Sequence, residues 1–441
     1  MKVLFETAVF FEKLMRGEVR AAHNILDKAD NMDRSGIMQM KNEAFLNLIK
    51  QIFENSSYYK NILLSHGYDI SSFKDISDIH KFPILTKDII KSQVELIHCN
   101  NISPEECITR NSGGTTGEPM KIEVNTQAAI NDLYFFYRGL NWMGYSPGSP
   151  MVRLSGGSLS GNNSPTLKNK IKKWVSNEYF LPAFDLNKGN ALVYLDAIRS
   201  RGKTHLQGYV TSVYTLAAYA KELNYKGLQI KGAFTTAEQL TIDQAAFISE
   251  VFGCEVKGFF GCGEINSLGF QAKMNGNYIV PDEILHIETF KNPANGIENS
   301  FLLTSLYNYR TPLIRYLNGD AGKLVAGNKY TEIEELSGRT GDMFVKRDGS
   351  FISSAVAPHM IHISGITQKI KLYQFIQYDF DKIEFRFELF SEQITEEEFS
   401  YLRAIFAKWF GAECQVEFVC TADFINSGNG KHRLMINKIS A

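Results

Sequence analysis

The chain has 441 residues, with 47 basic against 48 acidic side chains and a formal charge of -1. That balance leaves no electrostatic footprint for nucleic acid or for an anionic membrane surface. At 44% hydrophobic and 22% charged residues it reads as an ordinary globular chain, long enough for about three folding units or fewer.

Six cysteines, Cys99, Cys107, Cys254, Cys262, Cys414 and Cys420, stand far apart without a CxxC pair. The spacing argues against a disulfide framework and for a reducing, cytoplasmic setting. Cys254 and Cys262 could ligate a metal, but buried free thiols beside a strand are the simpler reading. The opening MKVLFETAVFFEKLMRGEVRAAHNIL is amphipathic and is interrupted by Glu6, Glu12 and Lys13. It has neither the apolar run nor the cleavage site of a signal peptide. No run reaches the length of a membrane span.

In chain order, residues 37–66 carry helical periodicity. ISSFKDISDIHKFPILTKDII then predicts short helices broken at Pro83, with Thr86 as an N-cap. Next comes RNSGGTTGEPMKIEVN, residues 110–125. Gly113, Gly114 and Gly117 let backbone N–H groups approach an anion, Ser112, Thr115 and Thr116 add hydroxyl donors, and Lys121 adds charge. A glycine-rich hairpin turn explains the same composition, and on composition the two readings stand level. The segment lacks GK[ST] and runs into a strand pattern, so it is no Walker loop.

Residues 227–270 fix topology. LQIKGAF predicts a buried strand, TIDQAAFISEVFG a helix capped by Thr241 and Gln244 and ended by Gly253, and CEVKGFF a second strand. Such a unit implies a parallel pair, and ligands of open α/β sheets sit beyond the carboxyl ends of the strands. Those ends are TTAE (235–238) and FGCGE (260–264), both polar and both finishing in a glutamate. Further on, Asn318-Gly319 predicts a hairpin turn. The texture then changes near residue 339: DKIEFRFELF reads as a half-buried strand and CQVEFVC as another. Between them TEEEFSYLRAIFAKWFG is a helix with a Thr395/Glu398 capping box and a stripe of Phe399, Leu402, Phe406 and Trp409/Phe410. A strand, helix and strand of this kind predict a separate small α+β domain.

Nine histidines show no HxxxH or HExxH spacing, and no GxSxG elbow occurs, so neither a metalloenzyme nor a serine hydrolase is indicated. His205, Gln207 and Tyr209 are candidates for contacts to a substrate carboxylate, against a satisfied core histidine. Arg153, within the glycine-serine loop 152–161, is a candidate partner for an acidic substrate.

SGGTTGEPMK resembles the phosphate loop of the adenylate-forming enzymes, the superfamily of acyl-CoA synthetases, peptide adenylation domains and luciferase. Four further segments follow in that family's order: TTAEQL, FFGCGE, PLIRYLNGD with GRTGD, and GNGKHR. The compact length, HKFPILTK before the loop and RDGSFIS are most similar to the phenylacetate-CoA ligase group, and within it to the capsular polysaccharide biosynthesis branch. The likeness covers most of the chain and thins over 130–200.

The resemblance implies an α/β fold: a large N-terminal adenylate-forming domain, 1–338, built on mixed β-sheets with flanking helices, and a small mobile α+β C-terminal domain, 339–441. It assigns Ser112, Gly113, Gly114, Thr115, Thr116, Gly117 and Lys121 to the phosphates of ATP. Glu264 falls to Mg²⁺ and catalysis, and Phe260, Gly261, Ala237 and Glu238 to the adenine pocket. Asp320 falls to the ribose diol, Arg339 to ribose or phosphate, Asp342 to a hinge, and Lys431 to the α-phosphate and the attacking carboxylate. Taken singly, Glu264 and Asp342 would be loop acids, Phe260 plain core, Glu238 a solvated charge, Asp320 a turn residue and Lys431 an exposed lysine. Two departures stand out: Gly113 and Gly263 replace hydroxyl residues common in the family. The implied activity is an ATP-dependent, AMP-forming ligase that activates a carboxylic acid. Its acceptor is a thiol (CoA or a carrier protein) or an amine, and the protein is a monomer or homodimer. The rivals are an adenylyltransferase that leaves AMP on its acceptor and a non-catalytic nucleotide-binding homologue.

Overall fold

The computed structural model describes residues 28–111, 120–155, 177–186, 189–237, 240, 242–291, 299–337, 344–347, 351–352, 360–361, 364–366, 369–389, 392–425 and 435–439. The chain divides into two compact units. The first comprises Met1–Gly113, Met120–Gly148 and Gly258–Gly338, and the second Gly114–Pro119, Ser149–Lys257 and Arg339–Ala441.

In the first unit the helical run expected over 37–66 is two helices, Arg34–Asn55 and Ser57–Ser65. Ser56 breaks it: its backbone is extended, and its hydroxyl donates to the Leu96 and Ile97 carbonyls at 3.1 and 2.9 Å. Thr86 caps Lys87–Ile97 as predicted, its oxygen accepting from the Ile89 N–H. Cys107–Asn111 and Lys121–Asn125 form an antiparallel hairpin whose last pair is Asn111 and Lys121. The strands bracketing the glycine-rich segment are therefore in register, and the segment itself, 112–119, lies outside the described residues. The helix Thr126–Asn141 follows directly.

The strands of this unit follow the spatial order Leu285–Phe290, Ser300–Ser305, Tyr316–Ala326, Thr331–Ser337, Tyr278–Ile279, Gly269–Gln271, reaching Phe259 and Phe260. Neighbours in this order pair antiparallel. Here one expectation fails. Asn318-Gly319 does not turn the chain but lies inside the strand Tyr316–Ala326. Across the ladder Ser300 pairs with Ala321 and Leu302 with Leu317, so Asn318–Asp320 bulge out. Gly319, at φ +90°, adopts the left-handed conformation that favours both uses of the dipeptide. The turn falls later, where the Gly327 N–H donates to the Tyr330 carbonyl.

The second unit holds four parallel strands, ordered Glu178–Pro182, Met151–Ser155, Lys203–Tyr209, Gln229–Thr236. The predicted strand–helix–strand is present: Gln229–Thr236, Ile242–Phe252, Val256–Phe260, with Ala233 N–H donating to Glu255 O at 2.9 Å. Gly253 ends the helix at φ +64°, while Thr241 lies outside the described residues.

The C-terminal residues of this unit build a four-stranded sheet, ordered Gln415–Cys420, Lys382–Leu389, Ile370–Asp379, Met435–Asn437. The helix Glu396–Phe410 begins at the predicted Thr395/Glu398 capping box and ends at Gly411. Phe344, Tyr373, Phe375, Phe385, Phe387, Leu402, Phe406, Trp409 and Phe410 belong to one buried cluster. Ile370–Asp379 is a strand the sequence pattern hides, because Gln374 and Gln377 occupy fully buried positions. Gln374 is satisfied at both ends, donating to Ile425 O and accepting from Ile425 N–H. All six cysteines are free, and no described helix is long and apolar enough to cross a membrane.

Candidate active site

The strand ending at Phe260 runs into a tight turn. Gly261 is required there, since a Cβ would lie 2.0 Å from the Asn266 carbonyl oxygen. The Cys262 N–H donates to Ile265 O at 3.0 Å, and its sulfur accepts from the Ile265 N–H at 3.4 Å. This turn buries Glu264, which is only 4% exposed.

The carboxylate is met by two groups from distant segments. Tyr316 OH donates to its Oε1 at 2.6 Å, and Lys87 Nζ stands 3.6 Å from the same oxygen. Glu264 Oε2 receives no hydrogen bond among the described residues. Lys87 and Tyr316 are brought together by main chain: Leu85 N–H donates to Arg315 O, and Leu317 N–H to Leu85 O. The tail of HKFPILTK is thus zipped to the start of the bulged strand.

The bulge itself presents Asp320. Asn318 Nδ2 donates to Asp320 Oδ2 at 2.8 Å, and the Asp320 N–H donates back to Asn318 Oδ1 at 3.1 Å. Burial pushes the Cys262 thiol well above the usual range, and the charges of Glu264 and Asp320 push it further. Two predicted site carboxylates, 56 positions apart in sequence, therefore act on one sulfur, which stays protonated.

Behind Glu264, Arg110 Nη1 donates to Asp132 Oδ2 at 2.5 Å and makes a longer 3.5 Å contact with Glu264 O. Burial raises the Asp132 carboxyl, while the guanidinium and the Asn266 main chain pull it back down. Ser267 Oγ donates to Asp132 O at 2.9 Å.

Of the other predicted residues in this unit, Lys121 is exposed at the mouth of the hairpin. Phe260 is buried, its ring 6.4 Å from that of Tyr278 and 6.2 Å from that of Phe301. In the other unit, Ala237 is exposed at φ +70°, a strained conformation for alanine at a strand's carboxyl end. His205, Gln207 and Tyr209 are buried and alternate along one strand, so they share a face. Arg153 pairs in register with Gln207, but its guanidinium is already held by Glu178 at 2.6 Å. Ser112, Gly113, Gly114, Thr115, Thr116, Gly117, Glu238, Arg339, Asp342 and Lys431 lie outside the described residues. Among the described residues no group of three or more His, Cys, Asp or Glu could hold a metal. Cys254 is simply a buried thiol, pushed up to about 12 by desolvation.

Sequence reasoning missed Lys87, Arg110, Asp132 and Tyr316. Three of them stand inside segments it had singled out: LTK, RNSGG and LIRYLNGD. Asp132 carries no local signal.

No family model matches the chain. Protein CapK of Staphylococcus aureus is 22% identical over 427 residues, covering 91% of this chain and 90% of the relative. Phenylacetate-coenzyme A ligase of Escherichia coli K12 is also 22% identical, over 400 residues, covering 84% and 86%. Among solved structures, 2-hydroxyisobutyryl-CoA ligase in complex with 2-HIB-AMP and CoA superposes at a TM-score of 0.60, with 16% identity and 90% of each chain covered. In its postadenylation state the same enzyme superposes at 0.55. At this identity the structural likeness speaks for the fold.

Proposed function

We propose that this chain is an adenylate-forming enzyme of the phenylacetate-CoA ligase-like group, with an ATP-dependent, AMP-forming ligase activity; its likeness to protein CapK and to phenylacetate-coenzyme A ligase over most of their length supports the reading. The observation that carries this reading is the meeting of Tyr316 and Lys87 on the Glu264 carboxylate, with Asp320 on the bulge of the strand that Tyr316 begins and Arg110 anchoring the hairpin that brackets the glycine-rich segment.

In the first half-reaction a substrate carboxylate oxygen attacks the α-phosphorus of ATP. The bond from that phosphorus to the bridging oxygen breaks, and pyrophosphate leaves. No protein nucleophile is needed, so the protein contributes position and charge. The backbone and hydroxyls of Ser112–Gly117, with Lys121, hold the phosphates. Asp320 takes the ribose diol, and Arg339 serves the ribose or a phosphate. The roles proposed for Ala237, Glu238, Phe260 and Gly261 are contacts to adenine, and that for Lys431 is to steady the attacking carboxylate and the α-phosphate. The Glu264 carboxylate suits a hard cation, being buried and having Oε2 unengaged among the described residues. One protein carboxylate with phosphate and water is an ordinary Mg²⁺ environment, and the ion bound there would neutralise polyphosphate charge.

In the second half-reaction a thiol or amine attacks the acyl carbon and AMP leaves. CoA is the proposed acceptor, by analogy with the acid-CoA ligases that share the fold. The buried cluster of residues 344–435 supports treating 339–441 as a small domain turning about Asp342, with Lys431 delivered on closure. His205, Gln207 and Tyr209 line the acyl side in this reading.

The test is exchange of labelled pyrophosphate into ATP across a panel of carboxylic acids. At least one acid should support exchange, and Glu264→Gln should lower it by about 10²–10³-fold. No exchange with any acid ends the ligase reading, and AMP kept covalently on product would replace it with adenylyl transfer.

A further inference from the structure

Arg110 stands two residues before Ser112, the start of the glycine-rich segment, on the strand Cys107–Asn111. Its guanidinium leaves that strand and reaches a second element, the helix Thr126–Asn141, at Asp132. Asp132 in turn holds a third. Its carbonyl accepts from Ser267, and Asn266 acts on its carboxylate; both residues lie just past Glu264. The same Arg110 nitrogen contacts the Glu264 carbonyl. Both ends of the pair are largely withdrawn from water, with side chains 14% and 11% exposed. A bidentate-capable, always-charged group at such a junction fixes direction as well as distance.

We propose that Arg110 is a positioning residue: through Asp132 it sets the root of the glycine-rich segment against the turn that carries Glu264. The two segments are 154 positions apart, and this junction holds them at one spacing. The proposal rests on the ligase reading only for its kinetic consequence, because the junction itself is a statement about structure. If Glu264 serves the transferred nucleotide, loss of the junction lowers turnover while leaving affinity for the carboxylic acid nearly unchanged. Arg110 touches no reacting atom and acts only through where Glu264 stands.

The first measurement is amide hydrogen exchange on the full chain with Arg110→Met. Residues 107–111 and 264–268 should lose protection together, by tenfold or more, and wild-type protection in either segment overturns the proposal. This arm reads the junction whether or not the protein is a ligase. The second is a cycle of Arg110→Met, Glu264→Gln and the double variant in pyrophosphate exchange. Arg110→Met should lower kcat by about tenfold to a hundredfold with less than a threefold change in KM for the acid. The double variant should fall within threefold of Glu264→Gln alone. Losses that multiply overturn the positioning role, since a residue that merely supports folding would not share its effect with Glu264. Should Arg110→Met fail to fold, Arg110→Lys keeps the charge but loses the fork. It should fold and show the same paired loss of protection to a smaller degree, and full wild-type protection in it overturns the claim.

Discussion

Two regions of this molecule are held together by opposite means. In the C-terminal sheet, order comes from rings: Phe375 and Phe385 stack with centroids 4.7 Å apart, and Phe406 meets Phe375 at 5.4 Å and 61°. Around the first unit's helix Arg34–Asn55 and its sheet, order comes from charge taken out of water. Lys41 pairs with Asp282 at 2.5 Å, the side chains 4% and 1% exposed, and Asp282 also accepts the Thr331 N–H. Arg138 pairs with Glu283, whose side chain is fully buried. Rings lose stability in proportion to volume removed, and neighbours partly refill the gap. A buried charge that loses its partner keeps its full desolvation penalty, so polar regions fail abruptly and specify one arrangement.

The contrast is sharpest in a pair of substitutions. Phe385→Ala should cost about 3–5 kcal/mol in denaturant unfolding, and a second deletion beside it should deepen the loss. Lys41→Met should cost about as much, but Lys41→Met with Asp282→Asn should recover most of it, because no unpaired charge remains and the amide oxygen still accepts the Thr331 N–H. If the second change deepens both losses alike, the distinction between the regions is void.

A smaller effect separates the regions by pH. His286 is held well below its ordinary value, by burial first and then by Lys41 and Arg315. The folded chain therefore refuses a proton that the unfolded chain accepts near pH 6.5. Its contribution is whole above that pH and is lost as pH falls below it, at no more than about 1.4 kcal/mol per pH unit. Thermal melts from pH 7.5 to 5 should show a flatter slope in His286→Leu than in wild type, and an unchanged slope would remove His286 from the account.

The smallest effect lies at the end of the C-terminal helix. Thr395→Ala removes the oxygen that accepts the Glu398 N–H and should cost about 1 kcal/mol. Thr395→Asp should restore most of it, and if alanine and aspartate melt alike the cap contributes nothing measurable.

Local chemistry made much of this legible in advance. The caps at Thr86 and Thr395, the stop at Gly253 and the strands at 229–236, 382–389 and 415–420 all follow from a few neighbouring residues. Asn318-Gly319 shows the limit. Its positive φ was foreseeable, but turn and bulge use the same dihedral, and only the pairing with Ser300–Leu302 chose between them. Ile370–Asp379 was hidden because Gln374 looks polar until Ile425 arrives to satisfy it.

The order of short segments from the glycine-rich loop to GNGKHR was enough, by itself, to raise the resemblance to the adenylate-forming enzymes and to single out Glu264 and Asp320. Backbone needs and charge types are written locally. Tertiary structure alone decided that Glu264 would share its oxygen with Tyr316 and Lys87, and that Arg110 would find Asp132. Those partners are separated by 22 to 177 positions. Burial makes such pairs valuable, and burial is a property of the folded chain that no stretch of sequence carries alone.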